Sequence, residues 1–369
     1  MSEEQQEVMT EGSGRKLVYK AIIDSIEPIE GADKIEVVRI KGWRVVVGKG
    51  EFKEGEVVLF FETDSALNPW DLRYEFLKER CYKKFMLHGK LFDECLRLRT
   101  IRLRGVYSQG LVMKTDLFCE VRNKKVGEDC TLELAVRHYD EVAEKAVRVM
   151  EHAKPGNAKG LFPSSIIPRT DEERVQNLED EVLIKHADEP LEVTEKKDGS
   201  SCTIFFSPSY RADDPFGVCS RNFELKDEGD GIYWKLCHKF DLEHKLPAYC
   251  QEHNCELALQ GEIIGPGVNG NHDSLSDFDY QIFRIWDIKN QKWLTCNERY
   301  KVCKDLNIPH VPVLEVKTLK DFDLDRDKIL LYAEGYTAAG HEREGVVFKS
   351  IDGDFHFKAV SNRYLLSLK

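Results

Sequence analysis

The segment Thr194-Glu195-Lys196-Lys197-Asp198-Gly199 lies between two apolar runs of strand length and contains the pattern Lys-x-Asp-Gly. A lysine at the end of a strand can act as a nucleophile, and a carboxylate two residues later can hold a metal ion that neutralises phosphate groups. The glycine that follows allows the backbone to approach a ligand closely. An isolated match to four residues is usually a solvated charged turn, so its meaning depends on the residues that accompany it.

Two further carboxylates follow Asp198 at predicted strand edges. Glu262 lies in Gln-Gly-Glu-Ile-Ile-Gly at 260–265, and Glu344 begins Glu-Gly-Val-Val-Phe-Lys at 344–349. Carboxylate oxygens are ligands of hard divalent cations and bind them directly or through water. Asp198, Glu262 and Glu344 are therefore candidate metal ligands, although a carboxylate at a strand end is more often simply solvated.

Candidate phosphate and base contacts follow in order along the chain. Arg221, Lys349 and Lys358 supply positive charge that can neutralise an α-phosphate and a leaving pyrophosphate. Phe283 can stack on a purine, although an aromatic residue on an alternating strand usually belongs to the core. Each residue has an ordinary structural explanation, but their ordered occurrence with Lys-x-Asp-Gly favours nucleotidyl transfer.

The series resembles the motifs of the covalent nucleotidyltransferase superfamily, which comprises polynucleotide ligases and mRNA-capping guanylyltransferases. It is most similar to ATP-dependent RNA ligases that carry an N-terminal OB domain. Three segments support this narrower resemblance, at 168–177, 261–271 and 361–366. The resemblance extends over most of the chain, from residue 22 to residue 366.

The resemblance implies a role for each residue of the series. Lys196 would be the nucleophile that takes AMP as a lysyl phosphoramidate, and Phe283 would stack on adenine. Asp198, Glu262 and Glu344 would surround a catalytic Mn²⁺ or Mg²⁺. The other implied nucleotide contacts are a backbone contact near adenine from Glu195 and phosphate or pyrophosphate contacts from Arg174, Arg221, Lys349 and Lys358.

One position departs from the pattern of some relatives, which carry a second lysine two residues before the last one. His356 occupies that place and, on an alternating strand, points the same way as Lys358. A protonated imidazole would then substitute for the missing amine and make the activity more dependent on pH.

The implied reaction is ATP-dependent RNA ligation in three steps. Lys196 attacks ATP and releases pyrophosphate, AMP passes to an RNA 5′-phosphate, and a neighbouring 3′-hydroxyl displaces AMP. The implied partner is RNA with 5′-phosphate and 3′-OH ends, in a nicked duplex or in bridged strands.

Three alternatives remain open. A DNA ligase and a GTP-using capping enzyme share the lysine chemistry, but both normally place an OB domain after the last motif. A non-catalytic RNA-binding protein is the third alternative, and the intact lysine and carboxylates argue against it.

Short apolar runs punctuated by glycine fill residues 16–117 and predict a small closed barrel. Residues 26–37 and 49–58 resemble the start of an OB-fold RNA-binding module, as in the tRNA-binding appendages of synthetases. The predicted strands lie at 17–23, 35–40, 43–47, 57–62 and 96–103.

The last of these predicted strands alternates apolar residues with Arg97, Arg99, Arg102 and Arg104. Alternation places some of these arginines outward in a row. Such a row is either an ordinary solvated face or a groove that tracks phosphates.

We expect an α+β protein in which an N-terminal OB-fold β-barrel precedes a nucleotidyltransferase domain of antiparallel sheets with flanking helices. Helices are predicted at 224–240 and 298–305 of that second domain, and strands at 201–206, 258–264, 280–288 and 345–349. The expected boundaries are a disordered tail at 1–14, the OB domain at 15–131, a connecting helix and linker at 132–156, and the nucleotidyltransferase domain at 157–369.

Composition limits the class of protein. The net charge is −12, so any RNA contact must come from local patches and not from a broad basic surface. The eleven scattered cysteines include no Cys-x-x-Cys pair, which argues for reduced thiols and against structural zinc. No apolar run approaches the ~20 residues that span a bilayer. We expect an intracellular monomer, cytoplasmic or nuclear, with no membrane partner.

Overall fold

Alternating apolar and polar residues form antiparallel strands in both halves of the chain, as the sequence predicts. The chain divides into two units, Met1–Ala153 and Lys154–Lys369. The tail predicted at 1–14 lies outside the described residues. Among the described residues, no helix is long and apolar enough to cross a membrane. The computed structural model describes residues 16–87, 90–139, 157–227 and 231–367.

The described part of the first unit consists of short strands joined by tight turns. They pair in the orders β1-β5-β11, β2-β3-β4, β12-β6-β8-β7 and β10-β9. In chain order the strands are β1 (Val18–Ile22), β2 (Ser25–Pro28), β3 (Ile35–Ile40), β4 (Trp43–Gly48), β5 (Val57–Phe61), β6 (Ser65–Leu67), β7 (Tyr82–Leu87), β8 (Lys90–Arg97), β9 (Ile101–Leu103), β10 (Val106–Ser108), β11 (Leu111–Lys114) and β12 (Arg137–His138). The helical segments are 3-10 turns at Leu72–Leu77, Thr115–Leu117 and Cys119–Val121, and the short helix α1 (Lys78–Cys81).

Strand β5 contributes to the two larger cores in the described part of this unit. Successive strand residues point to opposite faces, so Phe60 joins one core and Phe61 the other. The rings of Tyr19 and Trp43 each lie 5.5 Å from that of Phe60, whereas Phe61 meets Tyr74 edge-on at 5.9 Å. Burial on both faces explains why this run is apolar throughout instead of alternating.

The continuous strand predicted at 96–103 is wrong. Strand β8 ends at Arg97 and β9 begins at Ile101, and the two strands belong to different sheets. Arg97 forms an ion pair with Asp64 at 2.9 Å and lies 3.9 Å from the ring centroid of Tyr139. Arg104 has φ of 47° and belongs to the turn before β10. The four arginines therefore do not form one outward row.

The connecting helix predicted from residue 132 does not begin there. Residues 131–135 form turns, and β12 then pairs with β6, with Arg137 opposite Ala66. The remainder of the predicted helix and linker, at 140–156, lies outside the described residues.

The described part of the second unit contains two sheets, with strand orders β13-β17-β16-β15-β18-β19-β20 and β21-β14-β22-β23. Its strands are β13 (Ala158–Leu161), β14 (Leu191–Lys196), β15 (Ser200–Phe206), β16 (Phe216–Cys219), β17 (Phe223–Leu225), β18 (Leu257–Ile264), β19 (Asp279–Asp287), β20 (Lys292–Trp293), β21 (Val313–Lys317), β22 (Gly345–Ser350) and β23 (His356–Val360). Its helices are α2 (Asp180–Lys185), α3 (Ile232–Lys239), α4 (Leu242–Glu252), α5 (Cys296–Leu306), α6 (Arg326–Ala333) and α7 (Asn362–Ser367), with 3-10 turns at Val175–Asn177 and Leu319–Phe322.

Two details of this unit bear on the predictions. The helix predicted at 224–240 begins only at Ile232, because β17 takes the first residues of that run. The helix predicted at 298–305 is confirmed as α5, which starts two residues earlier. Thr295 and Glu298 form a reciprocal capping box that fixes this start.

The Lys-x-Asp-Gly segment connects the two sheets. Strand β14 belongs to the smaller sheet and ends at Lys196, and β15 begins the next run in the larger sheet at Ser200. Helices α3, α4 and α5 contribute to the core on the larger sheet, while α2 and α6 contribute to the core on the smaller one. Residues 197–199 therefore lie where the chain crosses from one packed layer to the other.

Gly199 allows this crossing because it has no side chain. A Cβ at Gly199 would lie 2.1 Å from the carbonyl oxygen of Ile263 and 2.8 Å from Cγ of Glu262. Gly345 is similarly confined, since its Cβ would lie 2.2 Å from the carbonyl oxygen of Ala359. The sequence predicted that Gly199 allows a ligand to approach the backbone, and the structure shows that it also allows the close approach of the neighbouring strand.

We predict that Gly199→Ala lowers the free energy of unfolding by about 1–3 kcal/mol, the usual cost of forcing an extra carbon into packed structure. Thermal and urea unfolding measure the change. Gly160→Ala is the matched control, because no atom lies within 4 Å of the Cβ it would add on β13. Equal unfolding free energies for the two variants would show that the backbone around Gly199 and β18 can move apart to accept a methyl group without loss of stability.

Candidate active site

Lys196 is held against the carboxylate that precedes β22. Antiparallel pairing places Lys196 opposite Gly345, and its Nζ donates to Oε1 of Glu344 at 2.6 Å. Burial disfavours the charged amine, but the negative charges of Glu344 and Glu262 outweigh burial and raise the pKa of Lys196. The amine is therefore protonated in this arrangement and becomes nucleophilic only after it loses a proton.

Glu262 faces the same lysine from the larger sheet. It lies on β18, opposite Ser201 of β15. Burial raises the pKa of Glu262 to about 8; Lys196 opposes this shift, and the negative charges of Glu344 and Asp198 reinforce it. Burial also raises the pKa of Glu344. Neighbouring carboxyl groups with raised pKa values indicate a site that added positive charge would stabilise.

Asp198 is oriented by residues from two other parts of the unit. Nδ2 of Asn269 donates to its Oδ1 at 2.9 Å and to the carbonyl of Gly199 at 2.7 Å. The hydroxyl of Tyr364, on α7, donates to Oδ2, and Nε2 of His272 lies 3.4 Å from the same oxygen. Sequence reasoning assigned no role to these three side chains, although Asn269 and Tyr364 lie within segments that support the resemblance.

The positions of the three carboxylates show how they could bind a metal ion. Within the described ranges, no group of three or more His, Cys, Asp or Glu side chains is close enough to hold one ion directly. Asp198 is turned toward Tyr364, and Glu344 is paired with Lys196. All three carboxylates nevertheless influence one another, as the pKa of Glu262 shows. The set therefore fits a hard divalent cation held through water molecules.

Phe283 occupies a bulge in β19. The register with β18 passes from Arg284 opposite Gln260 to Ile282 opposite Gly261, which leaves Phe283 as the extra residue. Its ring is half-buried, and it does not belong to the hydrophobic core clusters. The bulge thus turns this aromatic side chain out of the regular core pattern, and bulges commonly redirect side chains in this way beside active sites.

Two buried cations hold the bulge through its carbonyl group. Nζ of Lys349 donates to the carbonyl oxygen of Phe283 at 2.7 Å, and a guanidinium nitrogen of Arg299 does so at 3.1 Å. Arg299 also binds Glu192 at 2.7 Å. Burial and the positive charge of Arg299 lower the pKa of Lys349 to about 7. For Lys349 to contact a phosphate, its amine would have to release the carbonyl oxygen of Phe283.

Lys358 and Arg174 meet through their backbones. They form an isolated parallel bridge, and the amide of Lys358 donates to the carbonyl of Glu173 at 2.8 Å. The positive charge of Lys358 acts on Glu344, which places its amine on the side of the site occupied by Lys196. The side chain of Arg174 is buried, with the residue 5% exposed.

Arg221 lies in the turn between β16 and β17 and pairs with Asp171 at 3.1 Å. Its charge acts on Glu262, so it borders the carboxylate cluster. Glu195 is buried and accepts from Lys197 at 2.9 Å. The amide of Glu195 donates to the carbonyl of Pro312 at 2.9 Å, so a backbone contact to adenine would use its carbonyl oxygen.

The prediction that His356 supplies a second positive charge is wrong. Its Nε2 accepts from a guanidinium nitrogen of Arg284 at 2.9 Å. Burial, together with the positive charge of Arg284, lowers the pKa of His356 to about 4. The imidazole is therefore neutral near pH 7.

Glu172 is a site residue that sequence reasoning did not single out. Its negative charge favours the charged forms of Lys196, Lys349 and Arg284. It lies in the segment 168–177, which supports the resemblance, but it has no motif of its own. Only the fold brings it close to cations that are far apart in sequence.

Comparison with known proteins identifies both parts of the chain. An RNA ligase family model matches residues 189–360, and an OB-fold domain model matches residues 17–115. These matches confirm the OB fold predicted for the N-terminal part and the ligase character predicted for the Lys-x-Asp-Gly part. A comparison with curated proteins finds no match.

Solved structures of Naegleria gruberi RNA ligase match the chain over nearly its whole length. The apo form of an aspartate-to-alanine mutant is 36% identical, with a TM-score of 0.82, over 96% of this chain and 98% of that one. A lysine-to-alanine mutant with ATP and Mn is 36% identical, with a TM-score of 0.81, over 95% and 99%. The ligase with pyrophosphate is 36% identical, also with a TM-score of 0.81, over 96% and 99%. The chain belongs to the RNA ligase family.

Proposed function

We propose that this protein is an ATP-dependent RNA ligase that seals 3′-OH and 5′-phosphate RNA ends through lysyl-AMP and RNA-adenylate intermediates. The observation that supports this most strongly is the position of Lys196, which the fold places between Glu344 and Glu262 at the crossing between two sheets. The similarity to an RNA ligase solved with ATP and Mn and with pyrophosphate supports the same reaction.

In the first step, Nζ of Lys196 attacks the α-phosphorus of ATP and pyrophosphate leaves. The amine must first lose its proton, and Glu344, at 2.6 Å, is the nearest acceptor. Lys358 and Arg221 border the carboxylates and would neutralise phosphate charge. Phe283 would stack on adenine from its bulge, held by Lys349 and Arg299.

Asp198, Glu262 and Glu344 would hold Mn²⁺ or Mg²⁺, largely through water. A bound divalent cation neutralises phosphate oxygens and favours the neutral form of a nearby lysine. The cluster of raised carboxyl pKa values is the feature of this chain that fits such a cation.

In the second and third steps, AMP passes from Lys196 to the RNA 5′-phosphate, and the 3′-hydroxyl then displaces AMP to form the phosphodiester. The substrate would be a nicked duplex or bridged strands, bound in part by the OB domain. We further propose that the enzyme is intracellular, in keeping with its free cysteines, and that it acts as a monomer.

The covalent intermediate gives the most direct test. Incubation with α-labelled ATP and Mn²⁺ or Mg²⁺ should leave label on the denatured wild-type protein. Lys196→Ala and Lys196→Arg should abolish it, because neither side chain supplies a neutral amine.

Lys320→Ala is the control for this test, because Lys320 is exposed and pairs only with Asp188 among the ion pairs described. Label from GTP instead of ATP would place the protein with the capping enzymes. Absence of label with both nucleotides, from folded protein that is not already adenylylated, would contradict ligase chemistry.

The pH dependence of the first step follows from the raised pKa of Lys196. Below that pKa, the neutral fraction of a lysine increases about tenfold for each unit of pH. We therefore expect the single-turnover rate of label formation to increase between pH 6 and pH 9. A rate that decreases over this range would show that a protonated group, and not the neutral amine, limits the step.

The orientation of Asp198 can be tested through its hydrogen-bond donor. Tyr364→Phe removes only the hydroxyl that donates to Asp198. We expect about tenfold slower adenylylation at limiting Mn²⁺, because residues that orient metal ligands typically contribute 10–100-fold. Tyr332→Phe is the control, since that hydroxyl donates to Glu315 at the surface. Equal rates for the two variants would contradict an orienting role for Tyr364.

A further inference from the structure

The described part of the first unit carries an exposed aromatic surface that no step above uses. Trp70 is 69% exposed and Phe76 is 64% exposed, although large aromatic side chains usually lie inside. Both belong to the segment that leads into and forms the 3-10 helix Leu72–Leu77. Leu72 in the same segment is 82% exposed. Packing in the core does not explain these three exposed apolar side chains within seven positions. Exposed apolar patches commonly mark binding surfaces.

Trp70 does not stand alone on this surface. Its indole Nε1 and the hydroxyl of Tyr82 both donate to the carboxylate of Glu94, one to each oxygen. The shared acceptor fixes the edges of the two rings next to each other. An indole tethered at its edge retains a face that can stack with a planar partner. We call the surface formed by Trp70 and Tyr82 the aromatic platform.

Lysine side chains accompany the two tethered rings. Nζ of Lys78 lies 5.2 Å from the ring centroid of Trp70, and Nζ of Lys84 lies 5.4 Å from that of Tyr82. Lys78 also pairs with Glu75 at 2.6 Å, so part of its charge is already compensated. Lys84 lies opposite Glu94 in the β7–β8 register and is exposed.

The charge of this segment contrasts with that of the chain. Residues 70–84 contain five basic residues against three acidic ones, whereas the whole chain has a net charge of −12. Burial raises the pKa of the Cys81 thiol, and the positive charges of Arg99 and Arg80 oppose the shift, which places both guanidinium groups near α1. Arg99, one member of the arginine row that the structure breaks up, therefore lies close to the same basic segment.

We propose that the aromatic platform binds unpaired nucleotides of the RNA substrate, with bases stacked on Trp70 and Tyr82 and phosphates near Lys78 and Lys84. Aromatic rings interleaved with cations are the usual device for holding single strands, because every base has a face that can stack. Paired bases in a duplex already stack on one another and offer no free face. This inference rests on the proposed function. It adds to that function where the RNA binds and that the bound nucleotides are unpaired.

The test measures the affinity of the full-length protein for a 5′-phosphorylated single-stranded RNA oligonucleotide by fluorescence anisotropy, over a range of salt concentrations. Trp70→Ala should bind about tenfold more weakly, in line with the loss of one stacked base. Trp70→Phe, which keeps a ring, should bind within about threefold of the wild type. Lys84→Ala should weaken binding and reduce the salt slope by about 0.7, the value for one phosphate contact on a single strand.

Leu132→Ala is the control, because it removes an exposed apolar side chain of the same unit outside the platform. Tyr82→Ala provides a second ring deletion if Trp70→Ala unfolds. Wild-type affinity for single-stranded RNA in both ring deletions would overturn the proposal. So would an equal loss of affinity for a blunt RNA duplex, which would indicate binding by charge alone. Labelling of wild-type Lys196 with ATP is measured separately, so failure of the platform and failure of the ligase reaction are distinguishable.

Discussion

The ion pair between Lys196 and Glu344 sets the geometry on which the rest of the site depends. The two residues are 148 positions apart, and only the β14–β22 register brings them together. A shift of one residue in that register would turn Lys196 to the opposite face of the sheet. Gly345 fixes the register locally, because any side chain there would collide with the backbone of β23. The reactive amine is therefore positioned by strand pairing and not by a flexible loop.

The second constraint is the close approach of the two sheets at the crossing. Gly199 packs against the backbone of β18 immediately beside Glu262, so the crossing and the buried carboxylate share one contact. Asp198, one position earlier, accepts hydrogen bonds from the side chains of Asn269 and Tyr364, which lie outside the Lys-x-Asp-Gly segment. Distant parts of the second unit thus converge on two consecutive residues, Asp198 and Gly199.

The sequence was sufficient to predict the elements that have a strong local signal. The strands around Glu262 and Glu344 follow from the alternation of apolar residues, and most of the helix α5 was predicted at 298–305. The sequence was not sufficient to predict features that depend on tertiary contacts. Arg97 leaves its predicted row because Asp64 and Tyr139 bind it, and both partners are remote in sequence.

The same distinction applies within the site. Residue type and order were enough to nominate Lys196 and the carboxylates, because nucleotidyl transfer requires those groups. Protonation states could not be predicted in this way, because they depend on burial and on neighbouring residues that are distant in the sequence. His356 is neutral because burial and the positive charge of Arg284 lower its pKa, and Lys349 has a lowered pKa because it is buried beside Arg299.

The charge arrangement around Lys196 also links its protonation to cation binding. Glu344 is both the partner of the protonated lysine and a candidate metal ligand, so the two uses of this carboxylate compete. By linkage, a cation that binds more tightly when Lys196 is neutral must lower the pKa of Lys196 by the corresponding free energy. Without that cation, Glu344 and Glu262 keep the amine charged and unreactive. If these carboxylates hold the cation as proposed, they therefore also suppress the nucleophile until that cation binds.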